Sequence, residues 1–254
     1  MNQAIISFVR RARIGRNNDR HLGDLLGKVF HNMPEGLIAI ANALPYMLKG
    51  SLVTVGVVIG AMGLGLILGI PLAVGLMFGP GWLRRILSLY VWFFRGVPLL
   101  VLLFLFYFGL FALMEINLSA FSAGTIVLGL ISSAYQSQIF RGAISSLPQG
   151  QLKAARALGM SDSKAIVYII LPQALRLSIP AWSNEYSIIL KDSAVTYALG
   201  VAEIMARAHF VASRTYQHLP LYLAAGLIYL VLTYMGTRLL RLLEDKVRIP
   251  GYSH

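Results

Sequence analysis

The chain has 254 residues, of which 57% are hydrophobic and only 13% are charged. Soluble domains carry about 25% charged residues, so this composition, with a mean hydropathy of +0.70, excludes an ordinary soluble protein and predicts a membrane protein. The sequence has no cysteine, which excludes disulfides and cysteine-ligated metals. The net charge of +12 comes from cations that flank apolar segments, so we expect anionic lipid headgroups rather than nucleic acid as the partner.

Residues 1–45 are predicted to form a basic amphipathic extension. Five arginines between Arg10 and Arg20 exclude a membrane span there. Apolar residues follow with helical spacing at Leu22, Leu25, Leu26, Val29 and Phe30. We interpret this helix as lying in the membrane interface, with a plain surface helix as the alternative. No small-residue cleavage site follows a short apolar core, so a signal peptide is not expected.

Five membrane spans are predicted in a transmembrane domain that covers residues 46–250. The charge-free stretch 36–48 has 13 residues and is too short, since a span needs about 20. The five segments are 52–83, 91–113, 120–140, a broken segment at 177–199, and 221–243. A re-entrant or surface helix is expected between the last two.

Glycine and proline residues predict close helix packing, turns and breaks in these segments. The first span carries small residues at helical spacing, which permits a neighbouring helix to approach closely; they are Gly56, Gly60, Gly65 and Gly69. A turn is predicted at Gly79-Pro80-Gly81. Pro172 and Pro180 are expected to interrupt helices before and within the fourth span.

Lysine and arginine set the orientation, because they concentrate in cytoplasmic loops. The loops at Arg84 and Arg141 and the tail at Arg248 are basic, whereas the second loop has only Glu115. We therefore expect the basic loops in the cytoplasm, Glu115 outside, and the N-terminus outside. A sixth span within 36–55 would place the arginine-rich extension inside, but the proline and lysine of that stretch oppose it.

The polar stretch 146–180 is the one that looks built for docking. Pro148 can open a helix, and Gly159 suits the left-handed residue that follows a helix. Ser161 can cap a second helix by accepting a backbone N–H, and Pro172 is expected to break that helix. The pattern predicts a short helix, a glycine turn and a second helix.

The first of these helices has a face of small and apolar residues. Ala154, Ala155 and Leu158 fall on one side, and we expect this side to face outward. Small alanines would let the helix lie close against the groove of a partner. The alternative is an amphipathic loop between two spans with no partner.

Two carboxylates mark the broken fourth span. Glu185 and Asp192 are seven residues apart, so both point to one face, two turns from each other. Carboxylates inside a membrane segment are costly and face a cavity or a partner by default. The alternative is a simple salt bridge from either carboxylate to Arg176 or Lys191.

These motifs resemble the polar amino acid uptake family of ABC importer permeases. The resemblance covers about residues 48–250 and rests on YVWFFRGVPLL at 90–100, AYQSQIFRG at 134–142, the loop at 148–160, LPQALR at 171–176 and NEYSIILKDS at 184–193. It implies an all-α membrane protein of type I ABC importer architecture, with about five transmembrane helices, in the prokaryotic plasma (inner) membrane.

The resemblance also implies site residues. The family's coupling loop docks on the ATPase, which here implies Gly150, Gln151, Lys153, Ala154, Ala155, Leu158 and Gly159. The family's pathway helix implies Asn184, Glu185 and Asp192 as residues that line the translocation pathway. Two positions depart from the family, since Gln138 and Lys153 stand where a glutamate is usual. They suggest a partner surface of shifted charge, or pairing with a different permease chain.

The function implied is that of a permease subunit in an ATP-driven importer of polar amino acids. A Walker-type pattern is absent from the sequence, so ATP and Mg²⁺ are expected on partner ATPase subunits, with no cofactor on this chain and no catalytic residue. Two permease subunits and an external amino acid-binding protein complete the implied assembly. Two carboxylates on one face favour a cationic amino acid such as arginine, lysine or histidine, because an unpaired desolvated carboxylate would protonate. The alternative is an amino acid with a polar uncharged or acidic side chain, which the cations near this helix could bind.

Two other classes of protein fit the sequence less well. A self-contained secondary transporter or channel would need internal repeats and an ion site at the membrane midplane, and we find no repeat. An intramembrane enzyme would need a nucleophile with its base, or a metal cluster, whereas the five histidines lie near the predicted surfaces and lack metal-ligand spacing.

Overall fold

The computed structural model describes residues 33–148 and 150–247, and in these ranges all regular structure is helical. The α-helices are α1 (Met33–Phe78), α2 (Gly81–Gly96), α3 (Leu99–Phe104), α4 (Ala120–Ser146), α5 (Gly150–Ala157), α6 (Asp162–Ala165), α7 (Leu171–Leu177), α8 (Ile179–Asp192), α9 (Ile204–Thr215) and α10 (His218–Val247). Wider π-helical turns follow α3 (Leu105–Phe111) and join α6 to α7 (Ile166–Ile170), and a 3₁₀ helix (Ser193–Leu199) follows α8. The predicted interfacial helix, its arginines and Arg248 lie outside the described residues.

Helix α1 is longer than the first predicted span. It has 46 residues and runs through Pro45, so the predicted boundary between residues 45 and 46 lies inside it. A proline in a helix interior costs about 3 kcal/mol. Here Ala43 and Met47 are buried against Ile204 and Leu221 of α9 and α10, and this apolar contact stabilises the turn around the proline. The helix ends at Phe78, and the turn predicted at residues 79–81 is confirmed.

The glycine face of α1 packs against α4, as its spacing predicted. A Cβ atom built on Gly60 would lie 2.6 Å from Cγ2 of Thr125, and one on Gly69 would lie 3.0 Å from Cβ of Gln136. The approach is mutual, because a Cβ on Gly129 of α4 would lie 2.6 Å from Cδ2 of Leu64. The two helix backbones therefore come closer than larger side chains would allow.

Among the described residues, two helices are long and apolar enough to cross a membrane: the Glu35–Phe78 part of α1, and α10. Two bent pairs qualify when each is taken as one span: α2 with Leu99–Phe111, bent by 109°, and the stretch that ends at Leu177 with Ile179–Leu199, bent by 58°. Helix α4 has 27 residues, about 40 Å at the rise of an α-helix, which exceeds the roughly 30 Å of the hydrocarbon core. By length and composition the described residues therefore hold two spans, or four when each bent pair counts as one, and the predicted number of five is reached only if α4 is counted as well.

Two predicted element bounds are wrong. The segment 91–113 is not one straight span, because the chain turns at Val97-Pro98 and α2 already begins at Gly81. Val97 is extended, with φ −90° and ψ 134°, since the residue before a proline avoids the helical region. The expected break at Pro172 does not occur either. Pro172 lies in the first turn of α7, directly after the π turns, where its missing N–H is not needed.

The helix expected after the fourth span is confirmed as α9. It packs its buried residues Ile204, Ala208 and Ala212 against the start of α1 and against α10. The fourth span is broken as predicted, with the bend at Ser178 just before Pro180. This arrangement places α8, with its two carboxylates, between α4 and α10.

Candidate functional site

The turn after α5 has the geometry that the sequence predicted. Gly159 has φ +78°, the left-handed region that glycine adopts without strain. Its N–H donates to the carbonyl of Arg156 at 2.9 Å, and the N–H of Met160 donates to the carbonyl of Ala155 at 3.0 Å. These two bonds form a Schellman motif, which fixes the angle between α5 and the helix that follows.

A reciprocal pair of amides ties α5 to α7. Nε2 of Gln151 donates to Oε1 of Gln173, and Nε2 of Gln173 donates to Oε1 of Gln151, both at 3.0 Å. Gln173 also donates to the carbonyl of Ile169 at 2.8 Å. The sequence reasoning named Gln151 but missed its partner. The available indication was that each glutamine lies in one of the segments that resemble the family.

A salt bridge also spans the glycine turn. The guanidinium of Arg156 donates to both carboxylate oxygens of Asp162, at 2.7 and 2.8 Å. Both side chains are exposed and lie in the polar loop region, outside the apolar crossings. The hydrogen bond and charge of Arg156 lower the pKa of Asp162 below its usual value. The pair is therefore intact at neutral pH and is lost in acid, as the pH falls through the lowered pKa.

The outer face of α5 differs in one residue from the prediction. Leu158 is 84% exposed, and Lys153 and Ala154 are also exposed. Ala155 is 2% exposed, so the expectation that it faces outward is wrong. Ser161 has the extended backbone of an N-cap, but within the described residues its side chain makes no capping hydrogen bond.

Glu185 of α8 is buried in a polar network between three helices. The carboxylate is 2% exposed and accepts a hydrogen bond from Oγ of Ser132 at 2.9 Å. Nε2 of Gln136 donates to Ser132 Oγ at 3.0 Å and to the carbonyl of Met62 at 3.1 Å. Nε1 of Trp182 donates to Oε1 of Gln136 at 2.8 Å. The network therefore connects α1, α4 and α8.

Sequence reasoning missed the partners of Glu185. Ser132 and Gln136 are four residues apart in the predicted third span, so they share a helix face. Polar residues that repeat on one face of a membrane span tend to face the bundle interior. That spacing was the available signal.

The three predicted pathway residues do not converge on one point. Asn184 is exposed, Glu185 is buried towards α4, and Asp192 is half-buried at the end of α8. Between residues 33 and 247, leaving aside residue 149, the one ion pair within 4.0 Å joins Arg156 and Asp162. The alternative of a salt bridge from Glu185 or Asp192 to Arg176 or Lys191 is therefore not realised.

A further buried carboxylate, Glu203, caps α9. It is fully buried and accepts hydrogen bonds from the N–H groups of Met205 at 2.8 Å and Ala206 at 2.6 Å. The hydroxyl of Tyr229 in α10 also donates to this carboxylate. Capping by an acidic side chain satisfies orphan N–H groups and suits the positive end of the helix dipole. No sequence pattern described above marks Glu203.

Comparisons with known proteins bear on these features. Residues 61–249 match the family model described as binding-protein-dependent transport system inner membrane component. The octopine transport system permease protein OccQ of Rhizobium radiobacter is 32% identical over 211 residues, which cover 79% of this chain and 89% of that protein. The arginine ABC transporter permease protein ArtQ of Haemophilus influenzae is 34% identical over 210 residues, covering 80% and 94%.

A third relative is the histidine/lysine/arginine/ornithine transport system permease protein HisM of Salmonella typhimurium. It is 35% identical over 210 residues, covering 79% of this chain and 89% of that protein. A crystal structure of an amino acid ABC transporter with histidines matches with a TM-score of 0.74 and 33% identity, covering 82% and 97% of the two chains. The inward-facing MetNI methionine ABC transporter, at 18% identity and a TM-score of 0.71 over 80% and 97%, supports the fold alone.

Proposed function

We infer the function of this chain from the family to which it belongs, the binding-protein-dependent transport system inner membrane components. The chain is a multi-pass permease subunit of the prokaryotic inner membrane, and its role is transport rather than catalysis. We propose that it forms the translocation pathway of an ATP-driven importer for polar amino acids, and that ATP and Mg²⁺ bind to partner ATPase subunits.

The observation that carries this proposal is the exposed outer face of α5. Leu158 presents a large apolar side chain to solvent, next to a turn that two backbone bonds and the Arg156–Asp162 pair hold in place. A rigid helix with an exposed apolar anchor fits a groove on a partner. We propose that an ATPase subunit provides this groove, through residues 148–160. The contacting residues would be Gly150, Gln151, Lys153, Ala154, Leu158 and Gly159.

The assembly proposed around this chain has four subunits, two permeases in the membrane and two ATPases in the cytoplasm. A second permease subunit, identical or different, would pair with this one, and two ATPase subunits would close against the coupling loops. An extracytoplasmic binding protein would deliver the amino acid. When the two ATPase subunits close, their movement would be transmitted to the spans through α5. Gln151 bonds α5 to α7, and α7 is followed directly by α8.

We propose a cationic amino acid as the substrate. Glu185 and Asp192 place two carboxylates on one side of α8, and neither is paired with a cation in the described residues. Glu185 is already bonded to Ser132, which leaves the half-buried Asp192 as the carboxylate available to a substrate. Two relatives are named as arginine permeases, and the name of one of them also includes histidine, lysine and ornithine, which supports the same substrate class.

Uptake competition with an Asp192→Asn variant tests the substrate proposal. A charge-assisted hydrogen bond is worth roughly 1.5–3 kcal/mol, so arginine uptake should fall about tenfold or more, while glutamine uptake should change little. The exposed carboxylate of Asp245, far along α10, provides the matched control, and its change to asparagine should affect neither. Equal losses of arginine and glutamine uptake would show that Asp192 does not discriminate between substrates by the charge of their side chains.

A further inference from the structure

A recess lies between α8 and α10, on a side of α8 that does not face the Glu185 network. Its volume is about 270 Å³, and its polar lining consists of Ser183, Asn184, Ser187, Thr237, Arg241 and Glu244. Helix α8 follows the coupling loop, and the lining part of α10 precedes the basic C-terminal tail. Under the orientation predicted from the basic loops, the recess therefore opens at the cytoplasmic end of the spans.

The recess holds one cation and one anion that do not pair with each other. Arg241 and Glu244 are three residues apart on α10 and so share one helix face, with their Cβ atoms about 5–6 Å apart. In the part of the chain that is described, the only ion pair is elsewhere, between Arg156 and Asp162. Both charged groups are therefore available to a ligand that carries the two complementary charges close together.

The neutral part of the lining is rich in oxygen acceptors. The hydroxyl of Thr237 donates to the carbonyl of Thr233 at 2.8 Å, and the hydroxyl of Ser187 donates to the carbonyl of Ser183 at 3.3 Å. With their protons used on the backbone, these oxygens keep lone pairs that can accept from a ligand. Asn184 adds an exposed amide that can donate as well as accept.

We propose that this recess binds a small zwitterion, with its anionic group on Arg241 and its ammonium group on Glu244 and the hydroxyl oxygens. A guanidinium takes a carboxylate or phosphate through two parallel N–H bonds. Ligand pockets for drug-sized molecules begin at about 300 Å³, so this volume suits a smaller ligand. Two sources share the chemistry: a free α-amino acid, and the headgroup of phosphatidylethanolamine. The amino acid source rests on the proposed function, as the cargo leaving the pathway.

The absence of native cysteine makes the test direct. The assembled transporter, with Pro180→Cys in this chain at a lining position that makes no proposed ligand contact, is placed in nanodiscs of phosphatidylglycerol alone, and alkylation of this chain is followed by mass. At ten times its Kd, L-arginine should slow alkylation about tenfold, because about a tenth of the sites stay free. Agmatine, which lacks the carboxylate, and N-acetyl-arginine, which lacks the ammonium group, should not protect. A Ser187→Cys variant reports on the same recess.

Matched variants separate the recess from general charge effects. Protection should disappear in Arg241→Gln and in Glu244→Gln. It should persist in Arg238→Gln and Asp245→Asn, whose exposed side chains sit on the same helix but do not line the recess. Protection that agmatine gives as well as arginine does, or that survives both recess variants, would overturn the zwitterion site.

The lipid arm uses nanodiscs that contain phosphatidylethanolamine. If the headgroup is the occupant, alkylation should already be slow in these nanodiscs without amino acid, and only while Arg241 and Glu244 are intact. No protection in either membrane overturns the proposal. The result is independent of the Asp192→Asn competition, which tests the substrate of the pathway, so failure of one proposal can be told from failure of the other.

Discussion

At the scale of single residues, Gly159 determines the geometry of the turn that follows α5. Its φ of +78° is strained for any residue with a Cβ, by about 1–2 kcal/mol, and more for a β-branched one. Gly159→Val should therefore distort the turn and reduce both co-purification of the ATPase and amino acid uptake. No neighbour lies within 4 Å of a Cβ at Gly159 or at Gly226, and Gly226 is an exposed position of α10 outside the loop 148–160, so Gly226→Val is a control for added bulk alone. Unchanged uptake in Gly159→Val would refute the docking role.

Glu203 is the N-cap of α9. Its two oxygens accept the N–H groups of Met205 and Ala206 and the hydroxyl of Tyr229. In Glu203→Gln one of these oxygens becomes an amide donor that faces donors, so the free energy of unfolding should fall by about 1–3 kcal/mol. Thermal unfolding of the purified chain in detergent measures this, with the exposed Glu115→Gln as control. Equal melting of both variants would contradict the capping role.

At the scale of elements, the contact between α1 and α4 depends on glycine. A Cβ at Gly65 would collide with Nε2 of Gln136 and lie 2.9 Å from Oγ of Ser132, which places it inside the polar network. Overpacking of this kind typically costs about 1–3 kcal/mol, so Gly65→Ala should lower the melting temperature and the uptake rate. Gly63 lies two residues away on α1 with no neighbour within 4 Å, and Gly63→Ala should be neutral or slightly stabilising. Similar melting of the two variants would argue against close packing at Gly65.

Sequence reasoning found the features whose cause is local. The glycine face of α1, the positive φ of Gly159 and the bend before Pro180 follow from backbone chemistry and helical spacing, and all three are present. The misses have tertiary causes. Pro45 stays helical because Ala43 and Met47 pack on α9 and α10, and no local pattern reports that contact.

The partners of the polar side chains could not be predicted from the sequence either. The partner of Gln151 is 22 residues away, and Ser132 and Glu185 are 53 residues apart. Helical spacing alone placed Ala155 on the outer face, but the residue is buried. Such pairings depend on how helices are arranged, which spacing within one helix cannot specify.

At the scale of the whole molecule, the orientation in the membrane can be tested on the two ends of α4. Glu115 precedes this helix and Arg141 lies near its end, and both side chains are exposed. The basic loops predict Arg141 in the cytoplasm and Glu115 outside. A membrane-impermeant maleimide added to intact cells should therefore label the Glu115→Cys variant and spare Arg141→Cys. Labelling of Glu115→Cys only from the cytoplasmic side would invert the topology.

The central claim is that this chain moves an amino acid by coupling to an ATPase on another chain. The most direct measurement is uptake of labelled arginine into proteoliposomes that contain the purified complex, with binding protein outside and ATP inside. We predict uptake that requires hydrolysable ATP and is reduced in Gly159→Val. Uptake by this chain alone, driven by a proton or sodium gradient and unaffected by ATP, would contradict the account and identify a secondary transporter instead.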